Sequence, residues 1–194
     1  MNTLPNVIDV LAMEKYKTTS LPGGFELSTG SFPDLIEDIG RFRIKAWRNE
    51  NGVDPLFFSK DAWVDSLDTN ARHWIITHHR TIVAAARLSF HAHVEEVPYA
   101  DFLLEEHLPL FSKSPIASIN RLVVDPLYRG RGFSGILDNE RIRAAALHGS
   151  KIMIAFPQLA RLNSLEKLGF SLISQLKNIP EMPERPFFLM KLDL

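Results

Sequence analysis

The 194-residue sequence predicts a mixed α/β fold, a central twisted sheet of about seven strands flanked by helices. Three observations carry that prediction. Apolar residues recur at helical spacing between Leu35 and Ala46, two β-rich runs flank His79-Arg80, and one passage from Ile116 to Leu147 reads as strand, turn and helix. Hairpin units mixed with crossover units imply a sheet that is neither all parallel nor all antiparallel.

The elements follow in order. Residues 1–21 read as a loosely attached arm with room for one short helix, and residues 22–194 as a single domain. Phe25 to Thr29 is a first strand ending at Gly30. Ser31 can cap the following helix, with Asp34 in its first turn and Leu35, Ile36, Ile39, Phe42 and Ala46 on one face. A second helix is expected from Lys60 to Leu67, with Asp68-Thr69-Asn70 as its stop. His73–Thr77 and Ile82–Phe90 form a hairpin, and 91–114 is irregular with one helical turn over Asp101–Glu106. Ile116–Val124 is a strand, Ser134–Leu147 a helix stopped by Gly149, and Lys151–Phe156 a strand. Ala160–Leu168 is a helix closed by Gly169, and Phe170–Gln175 and Phe187–Leu192 are the last two strands.

Composition narrows the function. With 22 basic and 23 acidic residues the net charge is −1, which gives no global attraction for nucleic acid or an anionic membrane. The chain has no cysteine, so disulfides, thiolate metal sites and cysteine nucleophiles are excluded. The first fifteen residues lack the pattern of a secretory signal and no stretch approaches eighteen apolar residues, so a cytoplasmic protein is expected.

The most informative stretch is Val124-Asp-Pro-Leu-Tyr-Arg-Gly-Arg-Gly-Phe-Ser134. It places a strand end, a turn and two glycines before a helix. Glycines let a backbone approach an anion closely, and the first amides of a helix have no intrahelical partner. Arg129 and Arg131 add charge whose geometry suits phosphate. The stretch resembles the acyl-CoA-binding motif of the GNAT superfamily, V-x-P-x-x-R-G-x-G-x-[GAS]. Leu165-Glu-Lys-Leu-Gly-Phe170 resembles the L-Y-x-x-x-G-F signature that follows it in that superfamily. Arg43-Ile-Lys-Ala-Trp47, Ala86-Arg87-Leu88 and Ser118-Ile-Asn-Arg121-Leu-Val-Val124 are similar to one branch, which contains autoinducer synthases and N-acyl amino acid synthases. Ser118 stands where that branch has an acidic residue.

The resemblance implies a GNAT-like acyl-CoA N-acyltransferase fold over nearly the whole chain, with acetyl-CoA or another acyl-CoA as co-substrate and a small-molecule amine as acceptor. Cofactor-binding residues would be Leu122, Val123 and Val124 along pantetheine, and Arg129, Gly130, Arg131, Gly132, Phe133 and Ser134 around the pyrophosphate. Asn120 occupies a position where the family often has a carboxylate; it cannot act as a base but can orient a water. Leu165 occupies the tyrosine position, so Ser164 is the neighbouring hydroxyl. Asn120, Arg121 and Ser164 are therefore the candidate catalytic residues, and Arg43, Trp47, Arg87 and Phe156 the candidate acceptor-pocket residues. The branch implies an alternative, a long acyl chain delivered by acyl carrier protein. A catalytically silent acyl-CoA-binding module is a further alternative, and a homodimer is left open. Arg121, in mid-strand, needs either a buried acidic partner or a cleft. His91 and His93 share a strand face, but no third ligand is fixed by spacing and no metal is expected; the histidines read as exposed loop residues. Asp138 and Glu140 read as a solvated helix face.

Overall fold

The structure, a computed structural model, describes residues 17–30 and 35–194. The helix-capping role expected of Ser31, the first-turn role of Asp34 and the short helix of the arm lie outside the described residues. Two compact units are present. Strands β4 (Thr81–His91) and β5 (Ile116–Val124) and helix α3 (Phe133–His148) run through both, changing unit after Arg87, Asn120 and Leu137.

The first unit carries β1 (Lys17–Leu21), β2 (Phe25–Gly30), α1 (Ile36–Trp47), α2 (Leu67–Asn70) and β3 (Arg72–His78). Its strand order is β1-β2-β3-β4-β5. β1 pairs antiparallel with β2 from Lys17↔Thr29 to Leu21↔Phe25, and β2 with β3 from Phe25↔His78 to Gly30↔His73. Residues 17–21 thus form an eighth strand where the sequence suggested arm. Lys17 to Ser20 are exposed whichever way their side chains point, so no apolar alternation marked them. The turn between β3 and β4 puts His79 at φ 46° and Arg80 at φ 64°, the two positive values a type I′ hairpin requires.

Helix α1 builds this unit's core. Leu35, Ile39, Phe42 and Ala46 pack with Ile75, Ile82, Ala85 and Val123, and Trp47 lies against the cluster. Each large apolar side chain so buried contributes about 1.5–3 kcal/mol. Glu37 and Asp38 in the first turn and Lys45 in the last complement the helix dipole. Gly40 is needed for close approach: a Cβ there would sit 2.5 Å from Val64 Cγ2. The Trp63 amide donates to the Gly40 carbonyl at 3.0 Å.

That contact explains why the helix expected over Lys60–Leu67 does not form. Trp63 is drawn into the aromatic contacts of Phe57 and Phe58, and its carbonyl accepts from Arg43. The Asp65 amide donates to the Asp68 carboxylate and the Leu67 amide to that of Asp65, both short-range bonds that compete with a helix. Only Leu67–Asn70 is α-helical.

The second unit carries β6 (Ile152–Ala155), α4 (Leu162–Glu166), β7 (Ser171–Leu176) and β8 (Phe187–Asp193), in the order β4-β5-β6-β8-β7. β5 and β6 are parallel from Ile116↔Ile152 to Ile119↔Ala155, so α3 joins them as a crossover. β6 pairs antiparallel with β8, and β8 with β7 across an irregularity at Leu172/Ser174. Ile152, Met153, Ile154, Leu189 and Met190 are fully buried, as expected of strands covered on both faces. Residues 94–111 hold three short 3-10 turns, one over Ala100–Phe102 and the last over Glu105–Phe111.

Candidate active site

The sequence-predicted site residues fall into three groups, and the first is the loop after β5. The Asp125 amide donates to the Val83 carbonyl at 2.9 Å, and the Asp125 carboxylate accepts from the Leu127 amide at 2.9 Å. Pro126–Tyr128 then make one 3-10 turn, closed by the Tyr128 amide on the Asp125 carbonyl. Gly130 and Gly132 follow at φ 79° and 80°, a left-handed conformation that side chains with a Cβ rarely adopt. Nothing lies within 4 Å of where a Cβ would stand on either glycine. Helix α3 begins at Phe133, whose ring is buried against Phe25, so only its backbone is turned to the loop's chemistry. The result is an open, glycine-lined helix N-terminus, the geometry that binds anions.

Around that loop the charges are arranged unequally. Arg129 pairs with Glu50 at 2.6 Å, which offsets part of its charge. Arg131 lies over the rings of Phe25 and Tyr128 at 5.7 and 5.8 Å. His78 stacks on Phe25, which ties the hairpin to the same aromatic group.

The second group is a buried ionic network in the same unit. Arg43, on α1, is 0% exposed and grips Asp68 with two bonds of 2.9 Å. Arg87, also 0% exposed, reaches Asp65 at 2.5 Å and Asp68 at 3.0 Å. Arg121 reaches the other Asp65 oxygen at 2.8 Å, and its guanidinium lies 3.9 Å above the Trp63 ring. Of the two alternatives for Arg121, the structure takes the acidic partner. His73 Nε2 meets the Asp68 carbonyl at 2.9 Å; a carbonyl only accepts, so that nitrogen carries the proton.

These contacts set the charge states. Burial raises the affinity of Asp65 and Asp68 for protons, but the hydrogen bonds and charges of the facing arginines outweigh it and hold both carboxyls below the usual carboxylate range. Burial pushes His73 down to about 4, so its ring is neutral. The side chains of Asp65 and Arg121 keep some exposure, 30% and 11%, and form the accessible corner of the network.

The third group lies in the second unit. Asn120 Nδ2 donates to Ser89 Oγ at 3.1 Å, Ser118 O at 3.1 Å and Ser118 Oγ at 3.2 Å, and Ser89 Oγ in turn meets His91 Nε2 at 2.9 Å. The Ser164 hydroxyl donates to the Arg161 carbonyl at 2.8 Å, a bond within its own turn. Phe156 stacks parallel to Phe187 at 5.8 Å and meets Tyr99 edge-on at 5.9 Å.

Several expectations change here. Asp138 is not on a solvated face: it is 1% exposed and ion-paired to Arg141, because both stand on the same α3 face as buried Leu137, Ala144 and Ala145. His91 and His107 are buried, not loop-exposed, each bonded to a serine hydroxyl. Among the described residues no group of three or more His, Asp or Glu is placed to hold a metal ion, and no helix is long and apolar enough to cross a membrane. As site residues Asp65 and Asp68 were not found in the sequence, where Asp68 reads only as part of a helix stop. Their i,i+3 spacing after a tryptophan was the available signal, and it points to nothing until the arginines are seen around them.

Comparison with known proteins agrees with this fold. The model of the Acetyltransferase (GNAT) family matches residues 33–170. A GNAT family acetyltransferase from Elizabethkingia anophelis with acetyl-CoA bound has a similar fold, with TM-score 0.55, 15% identity and coverage of 89% of this chain and 99% of that one. The ribosomal-protein-S18-alanine N-acetyltransferase of Escherichia coli is similar at TM-score 0.53 and 13% identity, over 86% and 93%. The NatC complex bound to Gag peptide and CoA contains a chain similar at TM-score 0.56 and 14% identity, over 87% and 98%. No curated protein matches the sequence.

Proposed function

Because the chain belongs to the GNAT acetyltransferase family, we propose that it transfers an acyl group, most simply acetyl from acetyl-CoA, directly to a primary amine. One observation carries the reading: left-handed Gly130 and Gly132 leave open space at the N-terminus of α3. The loop amides from Arg129 to Ser134 hold the pyrophosphate, with Arg131 as a further cation. Leu122, Val123 and Val124 offer backbone groups along which pantetheine lies like an added strand.

In the reaction a neutral amine attacks the thioester carbonyl carbon. The C–N bond forms while the carbonyl electrons move to oxygen, where a backbone N–H near Val124 donates; such a donor is worth about 3 kcal/mol. Collapse breaks the C–S bond, and the proton lost by nitrogen ends on the departing thiolate by way of water. Asn120 orients the water that first receives that proton. Ser164 is assigned no step, since its hydroxyl is already spent on Arg161.

The acceptor meets the exposed corner of the ionic network, where Arg121 presents positive charge over Trp63. Arg43 and Arg87 support that corner from within, through Asp68 and Asp65. An amine that also carries an acidic group fits this corner best.

Titration calorimetry with CoA and acetyl-CoA, followed by thiol release from acetyl-CoA over a panel of amines, tests the reading. Micromolar binding and amine-dependent release are expected. Absence of binding refutes it. Binding without release from any amine favours a silent acyl-CoA module, and release only from a carrier-borne long chain moves the donor to acyl carrier protein.

A further inference from the structure

The reaction above leaves one buried charged cluster of the second unit without a task. Asp138 and Arg141 are one turn apart on α3, each 1% exposed, and Arg161 binds the second Asp138 oxygen. Beyond its aspartate, Arg141 Nη1 donates to the backbone carbonyl of Asn120 at 3.3 Å. Apolar residues of the same volume would stabilise such a place as well or better than a buried ion pair. The cluster therefore asks for a reason other than stability.

Asn120 supplies it. Its side-chain amide is bonded to Ser118 and Ser89, and its carbonyl to Arg141, so the residue is held from two directions. The residue that follows, Arg121, stands at φ 52° in the middle of strand β5. A non-glycine residue pays about 1–2 kcal/mol for that conformation, and it persists only where the surroundings over-determine it. The peptide bond between the two is planar, with C=O and N–H pointing opposite ways. Fixing the carbonyl on Arg141 therefore fixes the Arg121 N–H on the other side of the same peptide unit.

We infer that Arg141, braced by Asp138 and Arg161, is a positioning residue for acyl transfer: through the Asn120 carbonyl it holds the Asn120–Arg121 peptide unit, whose N–H belongs to the strand along which the thioester lies. This rests on the acyl-transfer reading above. The guanidinium is required because one fork must serve a carboxylate and a carbonyl together, which a lysine ammonium does only with loss of geometry.

The test compares wild type, Arg141→Lys and the double variant Asp138→Leu/Arg141→Met, using acetyl-CoA and the best amine of the panel. Arg141→Lys keeps the charge, and the double variant removes both charges at similar volume, so that one of them folds even where the other does not. In both, kcat is expected to fall roughly 10- to 100-fold while KM for acetyl-CoA stays within about 2-fold, because ångström-scale misplacement affects the reacting geometry more than binding. Unchanged kcat in both variants, or a kcat loss matched by loss of acetyl-CoA affinity, overturns the inference. A wild type that binds no acetyl-CoA overturns the acyl-transfer reading itself and takes this inference with it.

Discussion

The loop at 129–134 and the network around Asp65 and Asp68 are both built on arginine, and they use it in opposite ways. In the network the guanidinium groups of Arg43 and Arg87 are sealed from solvent and face carboxylates within 3.0 Å. In the loop Arg129 is about half exposed and the neighbouring glycines face open space. One region spends most of its charge inside the protein, with only the Arg121–Asp65 corner partly exposed; the other keeps Arg131 and open backbone at Gly130 and Gly132 for a ligand. The same side chain is structural or ligand-directed according to what the fold places opposite it.

The comparison is sharpest where the network is cut. Asp68→Ala strands Arg43 and Arg87 without their shared carboxylate, and losing one partner of a buried ion pair costs about 3–5 kcal/mol. Urea denaturation should show that loss, while acetyl-CoA affinity of the folded fraction stays near wild type. A stability change under 1 kcal/mol would erase the distinction between the two regions.

A pH series probes the same network more gently. His73 is native in its neutral form, with its value pushed from 6.5 down to about 4 by burial. The unfolded chain takes up the proton first, so this contribution is complete above 6.5 and is lost as the pH falls toward 4. Its full size is about 3 kcal/mol at 1.36 kcal/mol per unit. Urea midpoints between pH 7 and pH 4 should fall accordingly in wild type and stay flatter in His73→Gln.

The loop should respond in the reverse sense. Gly130→Val meets no atom but is forced into a left-handed φ, a cost of about 1–2 kcal/mol. Its larger effect should be on CoA binding, read by calorimetry. Unchanged affinity would move the phosphate site elsewhere. The smallest effect is expected for Glu50→Gln, which releases Arg129 from a partly exposed pair worth about 0–1 kcal/mol. Stability should barely change, and CoA should bind more tightly at low salt, with the gain fading as salt is added.

What could be read without coordinates was what adjacent residues determine. Strand β5 falls where its β-branched run predicted, the glycines of the loop take the conformation only glycine favours, and α3 starts one residue from its predicted first position. Each depends on neighbours within a few positions, so the local sequence contains the whole cause. The pairings were beyond reach for the opposite reason. Arg43 finds Asp68, Arg121 finds Asp65 56 residues away, and Arg141 finds the carbonyl of Asn120, none of which any spacing rule connects. The left-handed turn at Arg121 is likewise invisible in a strand of ordinary composition, since it is held by partners far along the chain. Propensity and periodicity decide where the backbone runs. Which charges meet, and which remain for a ligand, is decided only when folding excludes water from some of them.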